Sequence, residues 1–132
     1  MQIASRIEGR ECEAFYAPFD VRFPHETQEF DVVQPDIVVI CNPEKIDGRG
    51  CNGAPDFIIE ILSPSTAYKD LTIKRRLYEK HGVTEFWFVD PSTRSAMIFF
   101  EREAGDYKVF DLESGQTITS QALDIEINFN IW

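Results

Sequence analysis

Hydrophobic positions fall along this chain in short runs with two different periods. From Phe19 to Phe23 apolar residues alternate with Asp20 and Arg22, the pattern of a half-buried strand. Pro24 to Gln28 reads as a turn, and a further strand runs from Phe30 to Gln34. Ile37-Val38-Val39-Ile40 is apolar on both faces and β-branched throughout, as in a central strand covered on both sides. Asn42 to Gly53 is rich in Gly, Asn, Asp and Pro and reads as a surface loop. Phe57 to Leu62 is a second buried run, broken only by Glu60. After Ser63-Pro64-Ser65-Thr66 the period changes to that of a helix over about 66–81, with Ser65 or Thr66 as its cap and Gly82 at its C-terminal end. Thr84 to Asp90 returns to strand. Ser95–Glu101 and Tyr107–Asp111 form a hairpin around Ala104-Gly105-Asp106, and the tail from Ile118 alternates again. Residues 2–10 read as the end of a helix or an extended lead-in.

About seven strands and one helix make an α/β chain of mixed α+β type, with a mixed central β-sheet. The early strands are expected to form a meander, and the helix to cross over to Phe86–Val89 in one parallel pairing. A sheet buried on both faces needs two covers, and one helix supplies only one. The second is expected from residues 1–10, from a partner subunit, or from both.

Composition narrows the class. With 132 residues, 43% of them hydrophobic, the chain is expected to form one domain over 1–132 with a core of its own. No apolar run approaches the roughly 20 residues that cross a bilayer. The N-terminus lacks the apolar segment of a signal peptide, so a cytoplasmic location is expected. Cys12, Cys41 and Cys51 are odd in number and have no metal-ligand spacing, and they read as reduced thiols. A net charge of −10 argues against binding nucleic acid through a broad basic surface. It leaves open contact with phosphate through a metal ion, where some acids are ligands and the cation inverts the local field.

Glu60 is the anomaly in this pattern. A carboxylate in a buried run costs several kcal/mol unless it is paired or binds a cation. Side chains alternate along a strand, so Asp56, Ile58, Glu60 and Leu62 share one face, as do Asp36, Val38 and Ile40. If the two strands are antiparallel neighbours, Asp36 at the start of one meets Glu60 near the end of the other. Asp56 lies about 13 Å from Glu60 along the strand and is expected to be structural. On the helix, Lys74 shares a stripe with Leu71, Leu77 and Tyr78, a cation where the core-facing side is otherwise apolar. The simplest compensation brings Asp36, Glu60 and Lys74 together. Asp70, four residues before Lys74, is expected to pair with it near the helix start. Arg75, Arg76 and Lys80 fall on other helix faces, as solvated charge or as contacts to phosphate. Two carboxylates can hold Mg²⁺ or Mn²⁺ through oxygen, with the Ile61 carbonyl as a further ligand. A lysine beside them can orient or deprotonate a water, or stabilise charge on phosphate. That set describes metal-dependent phosphodiester hydrolysis. Ser63 has no His near it in sequence and is not read as a nucleophile.

Several blocks together are similar to a known family: Val33–Val39 with Pro35-Asp36, Ala54–Thr66, Lys69-Asp70-Leu71 with Lys74 and Leu77-Tyr78, and Gly82–Pro91. They resemble the putative restriction endonuclease family within the PD-(D/E)XK nuclease superfamily. The resemblance runs from about Ala17 to Trp132. It implies a restriction endonuclease-like core, a Mg²⁺-dependent endonuclease acting on DNA, and a tendency to form homodimers. It puts Asp36 at the superfamily's first metal-binding acid and Glu60 at the acidic position of the D/E-X-K element. Leu62 stands where that element has lysine, and Lys74 on the following helix is placed to replace it. Family members begin with a long amphipathic helix, of which residues 2–9 would be the last turns, so the chain reads as N-terminally shortened. The alternative function is the same fold without catalysis, serving oligomerisation or nucleic-acid binding.

Overall fold

A computed structural model describes residues 3–7, 10–24, 27 and 30–130. The chain runs through α1 (Ile3–Arg6), β1 (Glu13–Tyr16), β2 (Val21–Pro24), β3 (Phe30–Val33), β4 (Ile37–Ile40) and a 3₁₀ turn (Pro43–Lys45). It continues through β5 (Ile46–Asp47), β6 (Gly50–Asn52) and β7 (Phe57–Ile61). A helical segment follows in three pieces, α2 (Ala67–Lys69), a π-helical stretch (Asp70–Lys74) and α3 (Arg75–His81). The rest is β8 (Glu85–Asp90), β9 (Ser95–Glu103), β10 (Asp106–Glu113), β11 (Thr117–Ser120) and β12 (Ile125–Asn128). The mixed α+β class expected from the sequence is the one present.

Six strands make the main sheet, in the order β1-β4-β7-β8-β9-β10. β2 and β6 make a parallel pair in another sheet, but within this one only β7 and β8 pair in parallel, with Phe57 opposite Glu85 and Glu60 opposite Phe88. The helical segment makes that crossover, as its place between two buried strands requires. It ends at Gly82, whose φ of 72° lets its amide and that of Val83 close onto the last carbonyls. Its start departs from expectation. Neither Ser65 nor Thr66 caps the helix through its side chain. The Ser63 carbonyl accepts from the Thr66 and Ala67 amides, and the Ser63 and Thr66 hydroxyls bond each other at 2.8 Å.

The early strands do not form a simple meander. β1 pairs with β4, while β2 leaves to build a second sheet in the order β3-β2-β6-β5. The stretch expected as a loop supplies two of those strands. Gly50, at φ 121°, lies so close to the Asp20 carbonyl that a Cβ would sit 2.2 Å from it, and the Cys51 amide donates to that same carbonyl at 2.8 Å. Only glycine fits there, so a residue type that reads as a loop signal here permits close strand packing.

The two faces of the main sheet bury different layers. Val38, Ile40, Ile58, Phe86 and Phe88 face Tyr78 and the second sheet. Val39, Phe57, Ile59, Trp87 and Val89 face Ile3 and Ile7 and also Leu123, Ile125, Ile127 and Phe129 of the C-terminal hairpin. The missing cover is therefore made within the chain, by α1 and mostly by the β11–β12 hairpin, whose alternating tail is what one buried face requires. The reduced-thiol expectation also fails for two cysteines: Cys12 and Cys41 are disulfide-bonded and Cys51 is free and buried. Glu13 pairs with Ile40, so the next residues out, Cys12 and Cys41, are cross-strand neighbours. The turn at Pro24–Gln28 lies largely outside the described residues, as does Gly9. Among the described residues no helix is long and apolar enough to cross a membrane.

Candidate active site

β4 and β7 are antiparallel, with Ile37 opposite Ile59 and Val38 opposite Ile58. One step further, Asp36 stands opposite Glu60. The Asp36 Oδ2 accepts a hydrogen bond from the Ile61 amide at 2.6 Å, which ties the carboxylate to the end of β7. Glu60 is 2% exposed and points toward the helix. Its Oε2 accepts from the Tyr78 hydroxyl at 2.7 Å and lies 2.9 Å from Lys74 Nζ. Lys74 Nζ is also 3.3 Å from Asp70 Oδ1, an i,i+4 pair whose acid is itself buried. So the lysine predicted on the core-facing stripe reaches the carboxylate predicted in the buried strand. Asp36 lies across the strand pair, and Asp70 pairs with the lysine as expected.

The helix is π-helical over Asp70–Lys74, the segment that carries both charged members, and the Arg75 amide reaches back to the Asp70 carbonyl. Such wide turns cost hydrogen-bond quality and recur where side chains must be re-aimed.

Burial pushes the Glu60 carboxyl above its ordinary range, against the pull of Lys74 and the Tyr78 hydroxyl, and the nearby Asp70 adds to the rise. For Lys74 burial disfavours the charge, but Glu60 and Asp70 outweigh it and hold the ammonium above its usual value. Burial, then the Glu60 charge, raises the Tyr78 phenol, so it remains a donor.

Hard carboxylate oxygens suit Mg²⁺ or Mn²⁺. Both donors to Glu60 sit on Oε2, and the amide donor to Asp36 sits on Oδ2. That leaves one oxygen of each carboxylate to turn toward a cation, so the residues fit a two-carboxylate site with the Ile61 carbonyl at the same strand end. Among the described residues no group of three or more His, Cys, Asp or Glu side chains gathers to hold a metal.

The Uma2 family model, described as putative restriction endonuclease, matches residues 1–131. The chain belongs to the Uma2 family. It is also similar to the uncharacterized protein slr1290 of Synechocystis sp. (strain ATCC 27184 / PCC 6803 / Kazusa), at 20% identity over 128 residues, covering 96% of this chain and 66% of that one. Its fold is that of a putative nuclease belonging to DUF820 from Anabaena variabilis ATCC 29413, with a TM-score of 0.67 at 23% identity over 96% of this chain and 71% of the other. The Uma2 chain thus spans just under two thirds of its Synechocystis relative.

Within this Uma2 chain the remaining candidates fall elsewhere. Asp56 is structural, accepting from the Cys41 amide at 2.6 Å. Ser63 bonds only Ser65 and Thr66 hydroxyls through its own. Phe86 and Trp87 are fully buried core. Arg75 pairs with Glu79 at 2.8 Å and lies over the Phe99 ring, which takes it away from Lys74. Two buried polar groups were not anticipated, one in the site and one outside it. Tyr78 reads as one more member of the apolar stripe, although a buried tyrosine hydroxyl needs a partner. Glu85 opens its strand, where a polar residue is unremarkable, yet it is buried and bonded to Trp87, Ser120 and Ala122.

Proposed function

We propose that the chain hydrolyses phosphodiester bonds in DNA with the help of Mg²⁺ or Mn²⁺. The observation that supports this reading is the convergence at one end of the central β4–β7 strand pair: Asp36 opposite Glu60, with Lys74 Nζ 2.9 Å from Glu60 Oε2. Membership in the Uma2 family, whose model is described as putative restriction endonuclease, supports the reaction class.

Asp36 and Glu60 would hold the cation, joined by the Ile61 carbonyl. The cation supplies a water of lowered pKa and neutralises charge building on the phosphate. Asp36 keeps its place through the Ile61 amide. Tyr78 holds Glu60 through a hydrogen bond to Oε2, on the oxygen that also faces Lys74. Lys74, held charged by Glu60 and Asp70, donates hydrogen bonds at the rim of the site, where it orients the attacking water or stabilises the phosphate oxygens in the transition state. The resemblance to the wider superfamily adds a tendency to form homodimers.

The decisive experiment is nicking of supercoiled plasmid in Mn²⁺ or Mg²⁺ by the wild type and by Glu60→Ala. Cleavage by the wild type alone is the expected result. Equal cleavage by both removes Glu60 from the reaction.

One observation favours the alternative, a non-catalytic module. Glu60 and Lys74 satisfy each other within the chain, so the cluster is stable as a purely structural ion pair. Calorimetric titration with Mn²⁺ separates the two: binding lost in Asp36→Asn and Glu60→Gln supports a metal site, and no binding by the wild type supports the module.

A further inference from the structure

Lys69, Ile73, Arg76 and Lys80 recur at four-, three- and four-residue intervals and so share one face of the helical segment, over a length of about 16 Å at helical rise. Two adjoining cavities run along this face. One of about 450 Å³ lies between Lys69, Ile73, Lys74 and, on the other side, Val32 of β3 and Gln34 just after it. The other, of about 320 Å³, continues past Arg76 to Lys80. Ile73, Leu77 and Asp31 line both, so the two form one trough between the helix and β3, the edge strand of the second sheet.

The trough has two chemical features. It gathers four of the chain's 13 basic residues, Lys69, Lys74, Arg76 and Lys80, against the single carboxylate of Asp31, in a protein of net charge −10. Lys69, Arg76 and Lys80 are exposed and make no ion pair among the described residues. Its floor is apolar and open: Ile73 is 58% exposed and Val32 53%. Lys74, whose ammonium touches Glu60, lines the trough part-way along it.

We infer that this trough binds a single strand of nucleic acid. Its phosphates lie along Lys69, Arg76 and Lys80, and its unpaired bases rest on Ile73 and Val32. A duplex keeps its bases stacked inside and offers the apolar floor nothing, whereas a single strand presents both a charged backbone and apolar base faces. This inference rests on the proposed hydrolytic reading only for its direction, with the strand leading toward Lys74 and Glu60.

The test is fluorescence anisotropy with a labelled oligodeoxynucleotide, single-stranded or annealed to its complement, and the wild-type chain in EDTA so that no cleavage intervenes. The single strand should bind at least about tenfold more tightly than the duplex. Arg76→Glu with Lys80→Glu should weaken single-strand binding at least about tenfold. It should also lower the slope of log K against log salt by about 1.4, roughly 0.7 per lost phosphate contact. The control is Arg49→Glu with Lys108→Glu, which makes the same change in net charge at the far edges of the two sheets. It should bind within about twofold of wild type. All four positions are exposed, and circular dichroism checks that each variant is folded. Binding of the trough variant equal to that of the control, or equal affinity for duplex and single strand, overturns the inference. The hydrolytic reading fails separately. A wild type that never cuts but loses binding in Arg76→Glu/Lys80→Glu keeps the trough and loses the reaction. A trough variant that binds and cuts like wild type does the opposite.

Discussion

Glu60 and Glu85 lie on the two parallel strands at the centre of the main sheet, each 2% exposed, and burial raises both carboxyls above their ordinary range. Their surroundings differ in kind. Glu60 is near the C-terminal end of β7 on the helix side, with a cation at 2.9 Å, a phenol at 2.7 Å and a second carboxylate across the strand pair. Glu85 begins β8 on the other side, where its partners are neutral: the Trp87 indole at 2.8 Å, the Ser120 hydroxyl at 3.1 Å and the Ala122 amide at 3.2 Å. These bonds join the start of β8 to the turn of the C-terminal hairpin. Burial of a carboxylate is thus not the mark of a site. What separates the two is the company of other charges, because only Glu60 shares its pocket edge with groups that could hold a cation or move a proton.

The largest expected difference is in activity. Glu60→Ala should abolish plasmid nicking, a loss of at least about 10²-fold, and should cost about 1–3 kcal/mol of stability by orphaning the buried Tyr78 hydroxyl, while Lys74 keeps Asp70 as its partner. Glu85→Ala should spare the activity instead: it orphans two buried donors and a half-buried one and should cost about 3 kcal/mol or more in urea unfolding, with the remaining folded protein cutting at the wild-type rate. Matching profiles for the two variants would erase the distinction.

Lys74→Met comes next. It leaves Glu60 and Asp70 as two buried carboxylates without their cation, which should cost about 3–5 kcal/mol. Lowering the pH should restore part of that loss as the acids take up protons, and the urea midpoint follows it directly. A variant as stable as wild type at neutral pH would mean that Glu60 and Asp70 find other compensation. Tyr78→Phe is milder. It removes one bond to Glu60 without opening a cavity and should cost about 1.5–3 kcal/mol. As a positioning residue it should raise the Mn²⁺ concentration for half-maximal nicking more than it lowers the maximal rate, whereas a purely structural hydroxyl would leave both unchanged.

The difference between the two acids also explains what could be read from residues alone. Glu60 interrupts an apolar run and Lys74 interrupts an apolar stripe, so each is visible as a local violation, and strand alternation and helical spacing then say where they point. Their pairing depends on one crossover, which the order of elements dictates. Glu85 violates nothing locally, and its partner Ser120 is 35 residues away on a hairpin whose docking no local period encodes. The same holds for β5 and β6, too short to show alternation, and for Cys12 with Cys41, which become neighbours only through the β1–β4 register. Partners distant in sequence were legible where each broke a local pattern, as Asp36, Glu60 and Lys74 do, and not where neither did.

The smallest effect, and the most specific, is in pH dependence. A carboxyl whose folded pKa lies above its unfolded value binds its proton more tightly in the native state. The stability it contributes is complete below the ordinary value of 4.5 and is lost as pH rises through the raised one. Both Glu60 and Glu85 act in that window, above 4.5. Lys74 is raised as well, so its contribution is complete below its ordinary 10.5 and is lost only as pH rises through its higher folded value. Glu85→Gln should therefore remove part of the decline above pH 4.5 and leave the alkaline limb unchanged. Glu60→Gln should flatten both limbs, since it deletes one acid and the principal partner of the lysine. Urea midpoints measured from about pH 4.5 to about pH 11 on the wild type and the two variants distinguish these outcomes. An alkaline change in Glu85→Gln, or a wild type that gains stability relative to that variant as pH rises from acid to neutral, would show that Glu85 is coupled to a charge its neutral surroundings do not contain.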